Sequence, residues 1–252
     1  MTGMVYTVLH QNNLVCKSPI NNTERKKMRL FLVFLSSLFL SFSTHAHADI
    51  GEITETDGKV QIKTVKAKRI DGSQGVEINL GDLVKVRKKS SAFVKMNDDS
   101  EFQIGAKTTL IFDDFLFDSK NQKMRARIIE GALAYSGDKL VPSDDRQFEN
   151  NSFTLTVRGT KFAGLYGTKS QLVLLKGAIG VEGKGDSQTL TAPLQSLIFD
   201  QSGVGEPFKM TFEELENFFV DNGLDLSRLV GPDFEQSLGD GKSTCVGSNC
   251  GG

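Results

Sequence analysis

Histidine is nearly missing from this 252-residue chain. The three that occur, His10, His45 and His47, all lie in its first 48 residues. Tryptophan is absent, and cysteine is limited to Cys16, Cys245 and Cys250. Histidine is the one side chain that titrates near neutrality without tuning, and it is the commonest metal ligand. Beyond residue 48, its absence excludes His-based triads, His-containing zinc sites and His-ligated haem. Two cysteines alone cannot complete a structural zinc site either. No cofactor is expected. Catalysis would have only carboxylates or lysine to work with, so the chain is expected not to be an enzyme.

Long apolar runs are lacking too. Leu30–Phe42, LFLVFLSSLFLSF, is uncharged for 13 residues, short of the roughly 17–25 that cross a bilayer as a helix. Arg25, Lys26, Lys27 and Arg29 precede it and Ala46-His47-Ala48 follows. This is the layout of a secretory signal peptide with small residues at −3 and −1. The expectation is cleavage after Ala48, with residues 1–48 removed, Asp49 as the mature N-terminus and no transmembrane segment left. Met28 would be a natural start, making 1–27 an untranslated extension. The competing reading keeps 1–27 as a cytoplasmic tail and 30–42 as an uncleaved anchor. Removing residues 1–48 takes away five of 30 basic and one of 31 acidic residues, leaving a net charge near −5. That balance favours solubility and argues against a general binder of nucleic acid or anionic membranes.

What is present is β pattern. From Ile50 to Phe208, short segments rich in Val, Ile, Phe and Thr are separated by turn residues every 8–15 positions. KVQIKTV, GVEINLGDLVKV, TTLIFDDF, ARIIEGALAYSG, SQLVLLKGAIGVEG and QTLTAPLQSLIFDQ read as strands. SAFVKMNDDSEFQIG reads as a hairpin turning at Asn97–Ser100. The fold class is all-β, a sandwich or roll of short, mostly antiparallel strands over 49–207. After Pro207 the pattern changes. Thr211 with Glu214 forms a capping box, Phe212, Leu215, Phe218 and Phe219 share a helical stripe, and Gly223 supplies a stop. The segment 208–240 is therefore expected to be helical, docked on the β-domain or presenting its phenylalanines to a partner. Residues 226–239 hold a weaker helical pattern, and 241–252 read as a flexible tail. Within that tail, Cys245 and Cys250 suit a local disulfide in an oxidising compartment, or pairing with another chain.

One interruption stands out. Phe153, Leu155 and Val157 share a strand face, then Arg158-Gly159-Thr160 intervenes and Phe162 falls one position out of phase. A slip of one residue on a period-two strand needs a bulge or corner. Glycine suits the positive φ that a bulge often requires. Arg158 is open to two roles, holding a loop through its forked donors or binding a ligand. Two other candidates are weak. Gly239–Thr244 ends like a phosphate-binding loop but has Gln236 where that motif needs its first glycine. Asp113, Asp114 and Asp118 are acidic but lack the spaced loop of a calcium site.

The motif VRGT-x-F, followed by LVLLKGAIGVEG, resembles the FecR-domain family. GKVQI, INLGDLVKV, the NDDS hairpin, IIEGALAYS and LTAPLQSLIFDQSG fall in that family's order. The usual Asp-Gly-Ser turn is Asp98-Asp99-Ser100 here, and Asn151-Ser152 replaces a common Thr-Pro. The resemblance implies an exported, stand-alone FecR-type domain that carries no established catalytic residues. It points to a periplasmic or surface module that binds or senses a protein or envelope glycan, not nucleic acid. A structural or adhesive envelope protein and a membrane-anchored regulator of the FecR type are the alternatives. The oligomeric state, the ligand and the choice between periplasm and cell surface are left open.

Overall fold

The computed structural model describes residues 49–118, 121–137, 143–231 and 234. Both hydrophobic cores lie within one compact unit, His47–Gly252. The alternating pattern yields sixteen strands: β1 (Asp49–Asp57), β2 (Val60–Lys63), β3 (Arg69–Asp71), β4 (Glu77–Asn79), β5 (Leu83–Val86), β6 (Ser91–Met96), β7 (Glu101–Ile104), β8 (Thr109–Phe117), β9 (Asn121–Gly137), β10 (Ser143–Glu149), β11 (Thr154–Tyr166), β12 (Lys169–Glu182), β13 (Ser187–Leu190), β14 (Gln195–Asp200), β15 (Gly203–Val204) and β16 (Phe208–Lys209). Among the described residues two helices follow, α1 (Phe212–Asp221) and α2 (Leu226–Leu229). The class is all-β, as the alternation implies.

Strand β9 is the hub. Its first half pairs with β8 and, in parallel, with β10; its second half pairs with β7 and β11. One arm of the sheet runs β9–β7–β6–β1–β4, a second β9–β8–β5–β2–β3, and a third β11–β12–β14. Gly131, at φ 108°, lets β9 change partners. A Cβ there would stand 2.3 Å from the Thr108 hydroxyl, which accepts from Ala132 N (2.9 Å) and donates to the Gly105 carbonyl (2.7 Å). β10 is a correction to the sequence reading, which assigned no strand to SDDRQFE. Its charges hide an alternation in which Arg146 and Phe148 point inward.

The first core lies between the arms. Phe102, Tyr135, Phe148 and Phe162 meet there with ring centroids 5.0–5.9 Å apart. Each such ring contributes about 1.5–3 kcal/mol by burial. A second core forms on the opposite face of β9, β11 and β12. There Ala132, Ala134 and Ala163 keep the strand surface low, and Leu215, Phe218 and Phe219 of α1 pack onto it.

The helix begins and ends as its residues dictate. Thr211 Oγ1 accepts from Glu214 N (3.1 Å), and the Glu214 carboxylate accepts from Thr211 N (2.8 Å). At the other end Gly223 takes φ 66°. Its N–H donates to Val220 O, and that of Leu224 donates to Phe219 O, closing a Schellman motif. Polar contacts fix the segment in place. The Gln103 amide donates to Asp225 O and accepts from Asp225 N, both at 2.9 Å, while Lys161 Nζ donates to Leu229 O (2.8 Å). Arg228 lies 4.0 Å above the Phe93 ring and 2.5 Å from Glu55. The stripe phenylalanines are thus committed to internal packing, which removes the reading that they face a partner.

Candidate functional site

The interruption at Val157-Arg158-Gly159-Thr160 is a double bulge. Across β11 and β12, Arg158 faces Ala178 and Lys161 faces Lys176, so Gly159 and Thr160 together stand opposite Gly177 alone. The next pair, Phe162 with Leu174, leaves Leu175 as an extra residue on β12, and the slip cancels. Gly159 takes φ 54° and Gly177 φ 87°. The buried Thr160 hydroxyl accepts from Arg158 N (2.9 Å) and donates to Ala178 O (3.0 Å). Leu155, Val157 and Phe162 therefore all reach the first core despite their phase change. Arg158 is exposed on the outer surface and makes no ion pair among the described residues. The backbone and the threonine, not the guanidinium, hold this corner.

A site that the sequence did not announce lies inside the first core. Arg146 on β10 is 1 % exposed. Its Nη1 donates to Asp98 Oδ2 (2.9 Å) and to the Tyr135 hydroxyl (2.5 Å), and its Nη2 donates to Gln122 Oε1. Asp98 Oδ1 in turn accepts from Ser100 N (3.0 Å) and Ser100 Oγ (2.6 Å). One buried cation is thus paired with one buried carboxylate, and further hydrogen bonds complete the cluster. The same aspartate builds the hairpin turn. Asp99 adopts φ 65°, which aspartate tolerates better than most residues. No local signal could pair Asp98 with Arg146, since their strands are joined only through the hub.

Burial pushes the Tyr135 phenol up to about 12, although the neighbouring Arg146 pulls it down. Tyr166 is pushed up by burial as well. A folded pKa above the unfolded value near 10 means that the folded chain keeps its proton longer. Stability is therefore complete below pH 10 and falls as pH rises toward 12. Tyr135 and Tyr166 are the two tyrosines beyond residue 48. Residues 49–252 at pH 11 are expected to show almost no phenolate absorbance until denaturant unfolds them. A tyrosine titrating near pH 10 in the folded protein would contradict this.

The other sequence candidates resolve simply. Asp113 pairs with Arg127 (2.5 Å) and Asp114 with Lys123 (2.6 Å), while Asp118 Oδ1 accepts from Asn121 N (2.7 Å). These acids belong to the β8–β9 hairpin. Among the described residues, no group of three or more His, Cys, Asp or Glu is placed to hold a metal. Cys245, Cys250 and Gly239–Thr244 lie outside the described residues. Among the described residues, no helix is long and apolar enough to cross a membrane. The Asp82 carboxylate of the GDLV segment bridges two loops, accepting from Asn79 N (3.1 Å) and Val65 N (3.2 Å).

Comparison with known proteins returns one family. The FecR protein family model matches residues 82–180, from Asp82 through the hub and Arg146 to the strand opposite the double bulge. No curated protein matches. Among solved structures, two crystal structures of a "putative anti-sigma factor" from Parabacteroides distasonis ATCC 8503 are similar. The first, at 2.50 Å, has 15 % identity and a TM-score of 0.43, covering 51 % of this chain and 59 % of that one. The second, at 1.65 Å, has 12 % identity and a TM-score of 0.44, covering 54 % and 63 %. Both matches span about three fifths of those chains. The FecR model thus matches part of the chain, and the double bulge at Gly159 and the buried pair Asp98–Arg146 both lie within the matched residues.

Proposed function

We propose that this chain is an exported, non-enzymatic sensing module that captures a protein partner and relays its presence. The FecR domain supports a role in signalling or sensing. Export is the reading of the basic, apolar and small-residue layout of residues 25–48. The observation that carries partner capture is an open sheet edge. β5 covers β8 only at Thr109–Ile111. Past Phe112, whose carbonyl accepts from Gly81 N (2.8 Å), no strand among the described residues pairs with the outer edge of 113–117. Leu116 and Phe117 are exposed there. An edge of this kind binds an extended polypeptide by adding it as a further strand, with main-chain hydrogen bonds giving affinity and exposed side chains giving choice. A protein therefore fits better than an envelope glycan.

The test uses residues 49–252 as bait in an envelope extract, alongside a Leu116→Lys, Phe117→Lys variant checked for its fold. The expected result is a protein retained by the wild-type chain and lost by the variant. Retention of nothing, or equal retention by both, would overturn the proposal. Mass spectrometry of the chain from its native source tests export separately. An N-terminus at Asp49 is expected, whereas an intact Leu30–Phe42 segment would make the chain an anchored regulator.

A further inference from the structure

We propose that the end of the domain formed by the β2–β3 hairpin and the β4–β5 turn is a docking surface for an anionic lipid bilayer. The hairpin loop is closed by Thr64 N donating to Lys68 O (2.8 Å) and Ala67 N to Thr64 O (2.7 Å). Val65 on this loop is 62 % exposed, and Leu80, in the facing turn, is 40 % exposed. Buried Asp82 ties the loops together through Val65 N and Asn79 N. A Val65 methyl lies 2.9 Å from where a Gly81 Cβ would stand. Val65 is therefore held against the turn that carries Leu80, and a cavity of about 230 Å³ opens beside Val65 between Thr64, Lys68 and Asn79.

Cations surround these loops. Lys63, Lys66, Lys68 and Arg69 are all exposed. Lys63 and Arg69 stand directly opposite each other in the β2–β3 register, and like charges so placed weaken strand pairing. Among the described residues none of the four makes an ion pair, and none of these residues relieves the repulsion. An external anion relieves it. The chain also enters the domain at this end. Asp49, the first described residue, is the register partner of Asn79. In this register Glu52 and Glu77 stand opposite each other further along the strands, so at the loops themselves the four cations face the exposed Asp49 and the buried Asp82.

A bilayer suits this surface better than an acidic protein does. Exposed apolar groups on loops, ringed by lysine and arginine, match the boundary between headgroups and acyl chains without detailed shape complementarity. Each cation close to an anionic leaflet strengthens binding several-fold. The net charge near −5 argues against general adhesion to anionic membranes, but the charge is segregated, and this end is basic. The loop variant leaves Leu116 and Phe117 of the β8 edge unchanged, so each proposal can fail alone.

The test is co-sedimentation of residues 49–252 with vesicles containing about one third phosphatidylglycerol in phosphatidylcholine, at low salt. Comparison is made with pure phosphatidylcholine vesicles and with a Lys66→Glu, Lys68→Glu variant. A Lys184→Glu, Lys209→Glu variant, reversing two exposed charges elsewhere, serves as control. Binding to the anionic vesicles alone is expected, more than about thirty-fold weaker in the loop variant, suppressed by salt and little changed in the control. Equal losses in the two variants, or no vesicle binding, would overturn the proposal. So would binding of polyglutamate without vesicle binding, abolished by the loop variant, which would assign the surface to an acidic protein.

Discussion

Asp98→Ala will lower the melting temperature of residues 49–252 by on the order of 10 °C, corresponding to about 3–5 kcal/mol. The magnitude follows from what the substitution leaves behind rather than from the bond it removes. Arg146 is among the largest fully buried side chains, and Asp98 is a buried carboxylate paired with it. Without that carboxylate the guanidinium keeps Tyr135 and Gln122 as neutral partners, but its charge stays in the core. The Ser100 backbone and hydroxyl also lose their acceptor, so the β6–β7 turn is loosened at the same time. Asp98→Ala combined with Arg146→Met separates these effects. Removing the cation as well, while keeping most of its volume, should recover much of the loss, because a buried pair replaced as a whole costs little. Denaturation midpoints for the two single variants and the double variant check this. A double variant as unstable as the sum of the singles would mean that the two side chains do not act as a pair.

How much of this architecture was legible follows from the range of each signal. Where a strand faces the core on one side and solvent on the other, as at Ser91–Met96, alternation names the inward residues directly. The capping box of α1 is legible for the same reason: Thr211 and Glu214 complete each other within four residues. The slip between Val157 and Phe162 is visible as a broken phase, though only the structure shows that Leu175 on β12 cancels it. Val65, off phase in KVQIKTV, is off phase because it sits in a hairpin loop, and β3, RID, is too short to announce itself. β10 is harder still. Three of its seven residues are acids, and its parallel pairing with β9 depends on a neighbour that no local pattern names. The Asp98–Arg146 pair and the Asp82 bridge are contacts between elements, and their partners are fixed only once the strand order is known.

Gly177→Ala is the second large effect, at about 3 kcal/mol, and it tests the double bulge itself. At φ 87° the residue occupies the left-handed region, where any Cβ is strained. That alone costs about 1–2 kcal/mol. Here the added carbon would also stand 2.4 Å from Gly159 O and 2.9 Å from Arg158 O. Both are backbone atoms, so no rotamer change can relieve the contact. β11 and β12 must separate at the point where one pair of strands supplies both cores: Val157, Phe162 and Leu174 to the first, Ala163, Val173 and Leu175 to the second. Gly185→Ala is the matching control, with φ 86° and nothing within 4 Å of the added carbon. The difference between the two denaturation midpoints isolates the clash from the backbone strain. Equal losses would mean that the strands part easily there, and that Gly159 and Thr160 do not hold a fixed corner. A larger loss at Gly177, with the second core loosened as well and seen as faster amide exchange in α1, is the outcome that the paired glycines require.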